Sequence, residues 1–343
     1  GRHGMTPVVC RWALPEKQRL PAEPRDTIVS LNRQLAVKSL VLSQLLLTAS
    51  RLCEAEKIPC LFWKGPVLAA QIHGDPASRQ YGDVDVLVPA KDVLRLDRAL
   101  RARSFRPLYD LTEPQLQRLQ SISGENCYLE GRARFSLDVH WSLVSPRLSL
   151  GGGYELFSQP RAFVGIDGRD VPCPSVERHL VMLAIHGSKH AWTSLGWLFD
   201  IAALVLKTDP DWEVVWRAAR EASAERMLSL ALDLAQRVLG VSLPPAATLP
   251  MHRAASLTWA ARACADALAE GASPKSLSVF LAAMPGVRNR VSYVTNLFLD
   301  PTTLDFELVR LPEALFPLYY AVRPVRLAGK HLFGFNQRLR GDK

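Results

Sequence analysis

The run Asp83-Val84-Asp85-Val86-Leu87-Val88 narrows the choice of fold more than any other stretch of the chain. Its alternation and its β-branched residues suit a strand, in which successive side chains point to opposite faces. Asp83 and Asp85 then share one face, while Val84, Val86 and Val88 pack on the other. Two carboxylates side by side repel each other. The arrangement is costly unless a cation lies between them, and hard divalent ions such as Mg²⁺ take carboxylate oxygens.

The flanking sequence fits that chemistry. An apolar strand is expected over Cys60 to Trp63, followed by the turn Lys64-Gly65-Pro66, a short helix closed near His73-Gly74, and Arg79 just ahead of the acidic strand. A basic, glycine-containing turn upstream of paired carboxylates suggests a triphosphate held by its metal ion. Downstream, residues 126–130 and 135–143 alternate as two further strands. Phe135, Leu137 and Val139 share one face of the second; Ser136, Asp138 and His140 share the other. A third carboxylate thus stands at mid-strand, where aspartate is depleted.

Helical spacing fills most of the remainder. A long helix is expected from about Asp26 to Lys57, with Asp26 or Thr27 as N-cap, and others over 91–104 and 114–121. Arg95, Arg98, Arg101 and Arg103 line the exposed side of the helix over 91–104 and read as a solvated face. After Pro174 the pattern is helical at 175–191, 195–207, 211–222, 224–240, 252–270 and 273–284. The expected fold class is α+β: a small mixed β-sheet core flanked by helices, then a mainly α-helical C-terminal domain. The expected division is an irregular, proline-bearing leader at 1–24, a core domain at 25–150, a linker at 151–174 and a helical domain at 175–343. Gly1 to Gly4 resemble a cloning remnant ahead of Met5, and Gly151-Gly152-Gly153 reads as a flexible part of the linker.

Six cysteines without paired spacing argue against a structural zinc site and for reduced thiols in a cytoplasmic protein. The most apolar run, Leu40 to Ala49, covers about half a membrane span, so no transmembrane segment is expected. A net charge of +9 favours anionic partners without choosing among them. The basic C-terminal stretch, with Arg323, Arg326, Lys330, Arg338, Arg340 and Lys343, is expected to pack on the body.

Taken in order, Lys64-Gly65, Arg79, Asp83-Val84-Asp85-Val86-Leu87-Val88 and Asp138-Val139-His140-Trp141 resemble the DNA polymerase β-like nucleotidyltransferase superfamily. The closer resemblance is to its bacterial family of uncharacterised nucleotidyltransferases. It extends through His186-Gly187-Ser188-Lys189-His190 and Trp197-Leu198-Phe199-Asp200. The resemblance implies a nucleotidyltransferase core in which Asp83, Asp85 and Asp138 hold two Mg²⁺ ions. It further implies in-line attack by an acceptor hydroxyl on the α-phosphate of an NTP, with release of pyrophosphate. Asp138 is also a candidate general base. Lys64, Gly65 and Arg79 are the expected nucleotide-binding residues, with His186, Lys189 and His190 on the far wall of the cleft.

The superfamily usually has Gly-Ser or Gly-Gly at the turn. Pro66 departs from this and offers no N–H to a phosphate. His186 and His190 are four apart, as in the zinc helix H-E-x-x-H, but Gly187 stands where the Glu would be. The acceptor is expected to be a small molecule, peptide or protein. Nucleotide transfer to RNA is the alternative, and nucleic acid is not favoured because no clustered aromatic and basic module is present. A non-catalytic nucleotide-binding module is the third reading.

Overall fold

The structure is a computed structural model that describes residues 4–131, 135–252 and 254–333. Its elements run α1 (Thr6–Ala13), α2 (Ala22–Ala55), β1 (Leu61–Trp63), α3 (Gly65–His73), β2 (Asp83–Leu87), α4 (Val93–Ala102), β3 (Phe105–Pro107), α5 (Glu113–Gln120), β4 (Glu125–Glu130) and β5 (Ser136–His140). There follow α6 (Tyr154–Phe157), the hairpin β6 (Arg161–Ile166) and β7 (Arg169–Pro174), then α7 (Val176–Lys189), α8 (Leu195–Thr208), α9 (Trp212–Glu221) and α10 (Glu225–Leu239). The last are α11 (Pro245–Thr248), α12 (Ala255–Glu270), α13 (Ser276–Ala283), α14 (Val287–Leu299), α15 (Thr303–Leu308) and α16 (Tyr319–Phe333). The fold is α+β, with a small mixed sheet and a helical C-terminal region, as the alternation and periodicity indicated.

The sheet order is β1-β2-β5-β4-β3. β2 and β5 are parallel; the other neighbours are antiparallel. Two hydrophobic cores lie on opposite faces of this sheet. Behind it, Phe62, Val84, Val86, Leu137 and Val139 pack with Leu42, Leu46 and Leu52 of α2 and Leu96 and Leu100 of α4. In front, Leu61, Trp63, Leu68, Ile72 and Leu87 join the helices α7–α13 in a second core. The acidic face of β2 therefore looks into the seam between the sheet and the helical region.

Several expectations are corrected. The leader is not irregular throughout: Thr6–Ala13 is helical and α2 begins at Ala22 rather than near Asp26, with no side-chain N-cap. Pro7 and Pro24 fall in first turns, where no intrahelical N–H bond is lost. The expected linker holds the β6–β7 hairpin, whose Asp167 and Gly168 both have positive φ, as a two-residue type I′ turn demands. Ile166, Val171 and Cys173 bury themselves in the rear core. Gly151 and Gly152 are packing positions rather than a flexible loop. A Cβ on Gly152 would lie 2.7 Å from Ser142 Oγ, and one on Gly151 would lie 3.0 Å from the Ala222 Cα.

The chain's end also departs from the expected division. Phe306 and Tyr319 return to the rear core, with Leu311, Phe316 and Val322 against it. Asp305, fully buried, takes Arg326 at 2.5 Å, and Arg118 donates to the Tyr320 hydroxyl at 2.7 Å. Packing on the body is thus seen for Arg323 and Arg326, whereas Arg338, Arg340 and Lys343 lie outside the described residues. The surface arginines of α4 are engaged in ion pairs: Arg95 with Asp92, Arg98 with Glu113, Arg101 with Asp97 and Asp110.

Among the described residues α2 is the one helix long and apolar enough to cross a membrane by length and composition. Half of its most apolar window is buried, with Leu42, Leu45, Leu46, Leu47 and Leu52 in the rear core.

Candidate active site

Strand register assembles the acidic residues. Asp85 pairs with Trp63 of β1 on one side and with Asp138 of β5 on the other, and Asp138 pairs with Cys127 of β4. One residue pair further along, Leu87, His140 and Glu125 form the next row of the same face. Asp83 lies level with Ser136. The parallel pairing of β2 and β5 thus brings three carboxylates from two strands, separated by more than fifty residues of sequence, onto one surface.

The turn before this face is held in a conformation few residues adopt. Lys64 has φ 52° and ψ −155°, and Gly65 has φ 44°. Such a backbone is strained for a lysine and persists only when its surroundings fix it. Here the Lys64 N–H donates to His179 Nε2 at 3.2 Å, while His179 Nδ1 donates to Gln71 Oε1 at 2.7 Å. His179 is fully buried, and its pKa is pushed down to about 3 by burial and then by Arg79 and Lys64, so the neutral ring can accept that bond. A Cβ on Gly65 would sit 3.2 Å from the Asp83 carbonyl oxygen, so the turn backs closely onto the acidic strand.

The Lys64 side chain folds over the carboxylates rather than away from them. Its Nζ is 2.8 Å from Asp85 Oδ1 and 4.4 Å from the centre of the Trp63 ring. His140 Nε2 reaches the same Asp85 oxygen at 3.0 Å. On its other side, His140 Nδ1 faces Glu125 Oε2 at 3.1 Å, an ion-pair contact without hydrogen-bond alignment. Lys189 Nζ of α7 lies 3.7 Å from that Glu125 oxygen. A chain of alternating charge therefore links β2 to the helical wall.

Burial and like charge set the ionisation. Burial, then the neighbouring Asp85, pushes Asp83 up to about 6. The same two causes raise Asp138. Burial would raise Asp85 as well, but Lys64 and His140 outweigh it and hold Asp85 below the usual carboxylate range. Burial would discharge His140; Asp85 and Glu125 overcome it and hold the imidazolium up at about 9.

The far wall is aromatic. The His186 ring lies 5.9 Å from Trp63, 4.6 Å from His190 and 5.1 Å from Trp197. Burial and Lys64 keep His186 neutral. Gly187 faces the Trp192 indole so closely that a Cβ would meet ring carbons at 2.5 Å. Packing, not a lost zinc helix, explains that glycine. Arg79 is turned to the same wall: its Nε and one terminal nitrogen donate to the two oxygens of Asp200 on α8 at 2.8 and 2.7 Å. The contact spans 121 residues, with Asp200 buried and Arg79 largely so.

A sequence profile of the family described as uncharacterised nucleotidyltransferase matches residues 1–240. The chain belongs to this family. No curated protein matches the sequence. Among solved structures, the antibiotic-resistance factor ANT(2'')-Ia shares 14% identity at a TM-score of 0.39, over 54% of this chain and 91% of that one. An antigenic nucleotidyltransferase-like protein from Paracoccidioides brasiliensis shares 15% identity at a TM-score of 0.35, over 64% of this chain and 95% of that one.

Whether the nucleotidyltransferase's residues suit a divalent ion is tested by their free valences. Asp85 Oδ2 and Asp138 Oδ1 are buried without a hydrogen-bond partner. Buried carboxylate oxygens are rarely left so, and oxygen donors from three aspartates are what Mg²⁺ takes. As the side chains stand, no group of three His, Cys, Asp or Glu among the described residues closes on one point. The donor chemistry fits; Lys64 and His140 supply the positive charge beside Asp85 in this arrangement.

Of the residues expected from the sequence, Asp83, Asp85, Asp138 and Lys64 gather on the sheet face, Gly65 backs onto it, and His186 and Lys189 close it from α7. His190 stands behind His186, exposed, and Arg79 is bound to Asp200. Glu125, His179 and Trp63 were not expected in these roles. Glu125 carried a usable signal, because strand alternation puts it on the face of Cys127, opposite Asp138. Nothing local marks His179.

Proposed function

We propose that this nucleotidyltransferase moves a nucleoside monophosphate from an NTP to a hydroxyl of a small-molecule, peptide or protein acceptor, in a Mg²⁺-dependent reaction that releases pyrophosphate. The observation that carries the reading is the pair of buried, unpartnered carboxylate oxygens on Asp85 and Asp138, set on one face with Asp83. Asp83, Asp85 and Asp138 would hold the metal. When bound, it neutralises charge on the triphosphate and makes the acceptor hydroxyl easier to deprotonate.

The remaining work falls to the chain. Asp138, with its raised pKa and free oxygen, is the group suited to take the proton as the acceptor oxygen bonds to the α-phosphorus. The bond from that phosphorus to the bridging oxygen breaks, and pyrophosphate leaves with the electron pair. Lys64, held beside Asp85 by a strained backbone and the Trp63 ring, keeps a positive charge next to the place where phosphate charge develops. The His186 and Trp197 rings, 5.1 Å apart, wall the site on that side with apolar surface.

The test is incubation with each α-labelled NTP, Mg²⁺ and fractionated cell extract, following pyrophosphate release and transfer of label. Label moving to a non-nucleic-acid acceptor, and lost in Asp85→Asn and Asp138→Asn, is the expected result. Label on RNA instead would assign the alternative acceptor. Nucleotide binding with no transfer from any NTP would leave only a binding module.

A further inference from the structure

The nucleotidyltransferase has an unassigned groove beside its carboxylates, and its occupant follows from which cations remain available. Pro66 gives no N–H, which leaves the turn short of one backbone donor and gives side chains a larger share in meeting the triphosphate. Lys64 is paired with Asp85, Arg79 with Asp200, and Lys189 faces Glu125. Lys38, half-buried on α2, makes no ion pair among the described residues and lies 5.5 Å from the Phe135 ring centre. Phe135 directly precedes Ser136, the strand partner of Asp83. The Lys38 ammonium is 3.7 Å from where a Gly82 Cβ would be, one residue before Asp83.

Its position is fixed. Ser39, next in sequence, donates to the Tyr81 hydroxyl at 2.6 Å, and that hydroxyl donates to the Pro76 carbonyl at 2.9 Å. α2 is thereby pinned to the loop that enters the acidic strand. Between them opens a groove of about 480 Å³ lined by Lys38, Gln80, Tyr81, Gly82, Thr193 and Trp197, among others. Among the described residues no Asp or Glu lines it. An open groove of this size has room for a polyphosphate chain, and a lysine among hydroxyls, with no acid among the described lining residues, favours an anion. Trp197 is also the partner of His186, so the groove is continuous with the aromatic wall.

We infer that this groove receives the polyphosphate of the nucleotide and that Lys38 is its phosphate-binding cation. The inference rests on the transfer reading above and adds the cation that the Lys64-Gly65-Pro66 turn does not free. A Cβ on Gly82 would already touch the ammonium at 3.7 Å, so a larger side chain there would crowd it.

Inorganic tripolyphosphate is the probe, since it needs no knowledge of the base. Calorimetric titration of the full chain is compared among the native protein, Lys38→Met and Lys38→Arg. Loss of one charge-assisted contact is expected to weaken binding by about tenfold or more in Lys38→Met. Lys38→Arg, which keeps the charge, is expected to bind close to the native protein. Equal affinity in Lys38→Met overturns the assignment. So does an equal loss in Lys38→Arg, which would indicate displacement of α2, or the absence of binding by the native protein. NTP transfer measured on the same samples separates the two readings. Transfer with an unchanged KM for NTP in Lys38→Met sinks the Lys38 assignment alone. Lys38-dependent tripolyphosphate binding with no transfer from any NTP sinks the transfer reading alone.

Discussion

Replacing Arg79 with Met tests how firmly the helical wall is tied to the acidic strand. The substitution keeps an unbranched stem and removes two bonds, at 2.8 and 2.7 Å, to a buried carboxylate. At about 1.5–3 kcal/mol for each bond to a charged group, the direct loss is about 3–6 kcal/mol. A ceiling lowers this, because the stranded Asp200 can take a proton. Protonating a carboxyl of ordinary pKa costs about 4 kcal/mol at pH 7 and about 1.5 kcal/mol at pH 5. Burial already pushes Asp200 up, with Arg79 pulling against it, so without Arg79 its folded pKa stands well above the unfolded one. The penalty is then absent below the unfolded pKa and grows as pH rises toward the folded value. Urea unfolding should show Arg79→Met losing about 4 kcal/mol at pH 7 and under half of that at pH 5. The double change Arg79→Met with Asp200→Leu should lose less than Arg79→Met alone at pH 7, since it buries no stranded charge. A loss below about 1 kcal/mol at pH 7, or a double variant as damaged as the sum of the singles, would refute the clamp.

Three other outcomes are expected. Asp83→Asn and Asp138→Asn should abolish transfer while raising the unfolding temperature by a few degrees, because each removes a carboxylate that burial, and then repulsion from Asp85, disfavours, Asp83 being pushed up to about 6; calorimetry beside the label-transfer assay reads both. His179→Leu removes the acceptor of the strained Lys64 N–H and should cost about 1–3 kcal/mol near neutrality. The native protein should also lose stability as pH falls below about 6.5, since a ring held down to about 3 resists the proton that the unfolded chain accepts, so the gap to His179→Leu should narrow by about 2 kcal/mol by pH 5. Gly187→Ala should destabilise by about 1–3 kcal/mol through contact with the Trp192 ring, seen in urea midpoints; an unchanged midpoint would show that the indole can move aside.

What could be read from the sequence was whatever depends on short-range pattern. The alternation of Asp83 to Val88 fixed which carboxylates share a face, and Ser136, Asp138 and His140 did the same on β5. Helical spacing placed α7 to α10 within a few residues. Proline misled at the N-terminus, where Pro7 sits in a first turn and breaks nothing. Asp167-Gly168 was a legible hairpin turn inside a stretch read as linker. The partners of Arg79 and of the Lys64 backbone were not legible. Asp200 and His179 lie more than a hundred residues away, and only the closing of the helical region on the sheet brings them there.

Leu61, Trp63, Leu68, Ile72 and Leu87 share one core with α7 to α13, while Phe306 and Tyr319 return to the other. The helical region is therefore not an interchangeable module. A chimaera that grafts another protein's helices onto this sheet would expose Trp63 and Leu68 and strand Arg79, and cutting the chain after the sheet would strip the rear core of its last aromatic pair. Redesign of this scaffold has to proceed by changing side chains in the seam, because exchanging whole halves removes the surface that holds Lys64 in place.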